Sequence, residues 1–215
     1  TVAKVAVLDP SLSALLPSNI TAETGMDAMT HAIEAYISKN SSEQTDKHAV
    51  QAIQEIFIHL PTAVNDGGNL KARQAMALAS LTAGKAFRTA MLGYVHAISH
   101  QFGALYGTPH GQGNAILLPL ILEYSKDAVE DKLASLAVTL GFGNQSEPQS
   151  VLAGKVIEEI KKLNAELNIP TKLKALEEKD IAIIASNAFK EALQVHAAPK
   201  YMGKAAIQAL LKKLL

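Results

Sequence analysis

Past Pro10 the chain has almost no β-branched runs bounded by turns, and this absence constrains its fold more than any other feature. Ala, Leu, Glu, Lys and Gln dominate instead. These residues lose little side-chain freedom in a helix. Apolar residues make up 48% of the 215 positions, enough for a sizeable core. The expected class is all-α, a multi-helix bundle of about nine helices joined by short loops.

Starts and stops follow from capping and breaking residues. Thr21 is the expected N-cap of a first helix, reaching about Ile37. Ser42 precedes an amphipathic stretch to about Leu60, where Pro61 is expected to kink or end it. Asn65-Asp66-Gly67-Gly68 is the clearest turn signal. Helices are then expected over 70–87, 92–105, from His110 or Gly111 onward, and over 127–140. Ser146 reads as the cap of a helix opening on Glu147-Pro148 and running to about Leu167. Two more are expected over 179–193 and 202–214. The first residues differ: Val2, Val5 and Val7 read as a strand halted at Asp9-Pro10. A lone strand has no partner for its backbone groups. Residues 1–10 are therefore read as a terminal strand torn from a sheet that lies upstream in a longer parent.

Composition removes several function classes. Twenty basic residues balance twenty acidic ones, leaving no electrostatic footprint for nucleic acid or an anionic membrane. Trp is absent and aromatics are 5%, so stacking platforms for single strands are lacking. No apolar run is long enough to span a membrane, and no signal peptide is visible. Cysteine is absent, which excludes disulfides and thiolate metal sites and fits a cytoplasmic setting.

The chemistry-bearing residues are histidines. Asp27 and His31 lie four apart in GMDAMTHAIEAY, on one helix face among apolar neighbours that suggest burial. A buried Asp must be paired or bound to a cation. A plain Asp–His hydrogen bond would satisfy that requirement as well. His96 and His100 repeat the spacing in GYVHAISHQFG, and His110 follows at a loop-to-helix junction. Three histidines within this short span, plus an Asp–His pair elsewhere, favour a shared metal over unrelated core histidines. Imidazoles with one carboxylate suit Fe, Zn, Mn, Co or Ni rather than Ca or Mg. His48 and His59 read as solvated or boundary residues, and His196 as an open case in a late loop. Gly111-Gln112-Gly113 does not meet the dinucleotide fingerprint and reads as close packing beside His110. No HExxH is present, so a metal-dependent hydrolase is weakly supported. Glu34, one turn from His31, is expected to point off the ligand face.

The stretches LDPSLSALLP, TGMDAMTHAIEAYIS, LASLTAGKAF, GYVHAISHQFGALYGTPHG and NAILLPLILEY closely resemble the iron-containing (group III) alcohol dehydrogenase family. The resemblance runs from about Val5 to Tyr124 and is looser beyond Ser125. It departs most at His196-Ala197-Ala198-Pro199-Lys200, where the family has an Asn-Pro-Arg-like loop. It implies a two-part parent. Residues 1–10 would be the terminal strand of a missing N-terminal dinucleotide-binding domain, and 11–215 the helical metal-binding domain. The implied metal ligands are Asp27, His31, His96 and His110, holding Fe(II) or alternatively Zn(II). His100 would assist proton transfer as a catalytic residue, and Phe87 would line the substrate pocket, unless it is an ordinary core aromatic.

The implied reaction is NAD(P)-dependent oxidation of an alcohol, or reduction of an aldehyde, by hydride transfer. The metal stabilises the alkoxide. The partners expected are a small alcohol or aldehyde and the missing nucleotide-binding domain. Assembly into a homo-oligomer is compatible with this reading. A helical bundle with a purely structural metal site is the alternative. The 215 residues alone are expected to be inactive.

Overall fold

The computed structural model describes residues 5–215. Among them it contains nine α-helices: α1 (Ser18–Tyr36), α2 (Glu43–Asn65), α3 (Leu70–Ala90), α4 (Tyr94–Tyr106), α5 (His110–Ser125), α6 (Glu130–Thr139), α7 (Gln149–Glu166), α8 (Ile181–Val195) and α9 (Lys204–Leu211). Four short 3-10 turns punctuate them, the first at Pro10–Ser13, capped by Asp9. The all-helical expectation holds, and most boundaries fall within a turn of those read from sequence.

Four differences have physical reasons. Val2 lies outside the described residues, and Val5 and Val7 form no strand there. With no neighbouring strand among the described residues, Val5 and Val7 stand 77% and 84% exposed. Thr21 does not cap α1, which starts earlier, after Pro17. The Thr21 hydroxyl instead donates to the Pro17 carbonyl and accepts from the guanidinium of buried Arg73. Pro61 does not end the second helix, since α2 continues to Asn65. Ser146 bonds to Asn144, and α7 starts after Pro148. Ser42 does cap α2, through a reciprocal capping box with Thr45.

Packing places two helices at the centre. Helix α1 lies against α2, α3 and α5, and α4 lies between α5 and α8. Met26, Met29, Ala32, Ile33 and Ala35 of α1 and Leu117, Leu118 and Leu122 of α5 are fully buried. A helix apolar on nearly every side must be surrounded, as α5 is. The α1–α5 approach depends on Gly111, where a Cβ would strike the Glu23 backbone of α1. Gly113 similarly faces Ser99 of α4. The close-packing reading of these glycines is thus what the fold uses. Gly107 ends α4 at φ 65°, in the left-handed region that glycine tolerates. The chain therefore reverses, and α5 opens beside α4 with His110 as its first residue.

Candidate metal centre

Three helices aim polar side chains at one point. Asp27 and His31 come from α1, His96 from α4 and His110 from the first turn of α5. Ligand atoms of Asp27, His96 and His110 all lie within 4.8 Å of one another. Asp27 Oδ1 is 3.8 Å from His96 Nε2 and 3.3 Å from His110 Nε2. His31 stands slightly further out, its Nδ1 3.7 Å from Asp27 Oδ2. Its ring lies 4.5 Å from that of His96. The four residues named from sequence are thus gathered in one place. Asp27 is half-buried rather than enclosed, and His110 is exposed.

Burial favours the neutral forms of His31 and His110. Burial pushes His31 down to about 4, and the neighbouring imidazoles of His96 and His110 add to this against the opposing pull of Asp27 and Glu34. Burial also lowers His110, again against Asp27. A neutral imidazole has the free lone pair that a metal requires.

Two further residues belong to the centre, Glu34 against expectation and Asn114 unforeseen. Glu34 does not point away from the site: it is buried, and its Oε2 lies 2.7 Å from His96 Nδ1. Its Oε1 accepts from the Val95 amide at 2.8 Å. Burial pushes the Glu34 carboxyl up, but the His96 hydrogen bond and charge and the Val95 and Gly93 amides outweigh it and hold it below the usual range. A carboxylate on the far nitrogen fixes which nitrogen of His96 faces the centre. The second is Asn114, one turn after His110. Its amide nitrogen lies 2.6 Å from Asp27 Oδ1, 3.2 Å from His96 Nε2 and 3.0 Å from His110 Nε2. Its oxygen is buried without a partner. A partial positive charge sits where three lone-pair donors converge, and one carboxylate with three imidazoles is a donor set that suits a divalent transition metal. The residues therefore fit such an ion.

The neighbouring surface forms a cleft. Phe87, half-buried at the end of α3, stacks on His31 with ring centroids 4.5 Å apart. It is therefore packed against the histidine cluster as well as against the core. Phe87, Arg88, Met91, Leu92 and His196 line a cleft of about 530 Å³. Met91 turns the chain there with φ 66° and ψ −173°, a strained geometry for a residue bearing a side chain. His100 stacks on His110 at 5.3 Å, and its Nδ1 lies 2.5 Å from Glu191 of α8. His48 and His59 are boundary residues away from this cluster, and His59 lies 3.3 Å from Glu55. No helix of the described residues is long and apolar enough to cross a membrane.

Known proteins share this arrangement of helices. The 1,3-propanediol dehydrogenase of Citrobacter freundii is 46% identical over 189 residues, covering 87% of this chain and 49% of that protein. A crystal structure of 1,3-propanediol oxidoreductase superposes with a TM-score of 0.92 at 41% identity, over 96% of this chain and 55% of that one. The sulfoacetaldehyde reductase of Bifidobacterium kashiwanohense, in complex with NAD+, superposes with a TM-score of 0.85 at 28% identity, over 96% and 53%. The chain thus spans about half the length of the relatives it matches. Residues 21–215 match the sequence model of the C-terminal part of the Fe-containing alcohol dehydrogenase family. With nearly the whole helical region inside that match, the chain belongs to the iron-containing alcohol dehydrogenase family.

Proposed function

We propose that this chain is the metal-binding helical half of an NAD(P)-dependent alcohol dehydrogenase, with Asp27, His31, His96 and His110 holding one divalent ion. The observation that carries the proposal is the convergence of Asp27, His96 and His110 donor atoms within 4.8 Å, with His31 beside them. Fe(II) is the ion favoured by the family, and Zn(II) is chemically compatible. When bound, the ion supplies Lewis acidity to an alcohol or carbonyl oxygen.

The chain's own residues do the rest. Phe87 and Leu92 give the cleft an apolar wall for the carbon chain of a small alcohol or aldehyde. His100, exposed at the cluster's edge and stacked on His110, takes the proton from the alcohol oxygen at Nε2, the nitrogen that Glu191 does not hold. Glu34 holds His96 in register from behind. The hydride acceptor requires a separate dinucleotide-binding domain. Support comes from the half-length coverage of the relatives, one of them solved with NAD+. Residues 1–10 then belong to that domain's end and 11–215 to the helical one. Leu12 and Leu15, 85% and 95% exposed, offer apolar surface near that junction.

The test is turnover. The native polypeptide containing this sequence, loaded with Fe(II), should reduce NAD+ or NADP+ with short alcohols. Residues 1–215 alone should bind the ion but show no appreciable turnover, because nothing holds the acceptor at reacting distance. An ion bound without turnover in the native polypeptide would leave a structural metal site. Turnover near ~1 per second by residues 1–215 alone would break the proposed division of labour.

A further inference from the structure

Glu191 on α8 lies 91 positions from His100 in sequence, yet it reaches the edge of the cluster. Its Oε1 lies 2.5 Å from His100 Nδ1 and 3.2 Å from His196 Nε2, while its Oε2 accepts from Gln101 Nε2 at 3.1 Å. One carboxylate therefore joins two imidazoles. His196 opens the loop that follows α8. That loop is held rigidly: the Ala197 amide donates to the Leu92 carbonyl, and the Ala197 carbonyl accepts from the Lys39 amide, both at 2.9 Å. His196 also lines the cleft beside Phe87.

An imidazole has two inequivalent nitrogens, and its outer torsion is broad and roughly two-fold. His100 is 44% exposed, so packing alone does not choose between the two ring orientations. Stacking on His110 defines the plane of its ring but leaves a half-turn about the Cβ–Cγ bond open. A carboxylate accepting from Nδ1–H removes that choice and leaves Nε2 as the nitrogen that can exchange a proton.

We propose that Glu191 is a positioning residue that fixes the tautomer and orientation of His100, and that His196 and Gln101 brace Glu191 for this task. The proposal rests on the role of His100 given above, and the two can be separated experimentally. No atom of Glu191 need touch the substrate. His196 adds a second imidazole contact to the same carboxylate oxygen.

The experiment is a double-mutant cycle in the native polypeptide containing this sequence, loaded with Fe(II). Glu191→Ala should lower kcat about 10–100-fold, with bound iron and the KM for NAD(P)+ unchanged. The isosteric Glu191→Gln should lie between, since an amide oxygen can still accept from Nδ1. In a His100→Ala background, Glu191→Ala should change kcat no further. If His100→Ala is slow but Glu191→Ala turns over like wild type, the positioning role is wrong while the reading of His100 stands. If His100→Ala itself has wild-type kcat, the reading of His100 fails. An undiminished effect of Glu191→Ala in the His100→Ala background, or loss of iron in Glu191→Gln, would show that Glu191 acts otherwise and overturn the proposal.

Discussion

Glu34 and His96, on different helices and 62 positions apart, are joined by a 2.7 Å contact in an interior that solvent barely reaches. Replacing Glu34 by Ala would leave His96 Nδ1 and the Val95 amide without their acceptor. Each such loss costs about 1–3 kcal/mol. The variant should unfold at lower urea than wild type, and its affinity for Fe(II) or Zn(II) should drop about 10–100-fold. Glu34→Gln should recover most of the stability. Wild-type affinity in Glu34→Ala would mean that the pairing does not orient His96 for the ion.

The convergence of Asp27, His31, His96 and His110 couples the ion to folding. At free ion about 100 times the dissociation constant, mass action adds about 2.7 kcal/mol of stability. Fe(II) or Zn(II) should therefore raise the melting temperature by several degrees. His96→Ala should abolish that rise. An equal rise in the variant, followed by calorimetry, would disconnect His96 from the ion.

How much of this could be read in advance differs from residue to residue. The pairs Asp27–His31 and His96–His100 were legible because residues four apart must share a helix face, and His110 because a Thr-Pro-His-Gly turn starts a helix. The place of Glu34 is not legible, because its partner is set by the crossing of α1 and α4, which no local spacing encodes. Asn114 lies four residues after His110, but an amide is not a usual metal ligand and the spacing carried no weight. Val5 and Val7 have strand propensity, yet no strand among the described residues pairs with them. Thr21 looked like a cap because Arg73, which claims its hydroxyl, is 52 positions away.

Gly111 is a packing requirement. A Cβ there would strike the Glu23 backbone of α1, which no side-chain rotation relieves. Gly111→Ala should cost about 1–3 kcal/mol or more and move His110 away from Asp27. The expected result is a lower melting temperature together with weaker binding of Zn(II). Unchanged values for both would contradict the close α1–α5 approach.

Acid should weaken the metal-free fold through His31. Burial holds its folded value near 4, below the ordinary 6.5, so the unfolded chain takes up the proton more readily. The stability at stake is fully present above about pH 6.5 and is lost as pH falls to about 4, a difference of roughly 3 kcal/mol. Urea unfolding of metal-free protein at pH 7 and pH 4.5 should show this loss, and His31→Asn should blunt it. An identical pH slope in the variant would remove His31 as the cause.

Anomalous diffraction at the iron edge, on crystals of the Fe(II)-loaded protein, bears most directly on the central claim. One peak per chain is expected, with Asp27 oxygen and nitrogens of His31, His96 and His110 at about 2.0–2.2 Å. A peak elsewhere, or a peak at this centre that any of the four side chains fails to reach, would contradict the account.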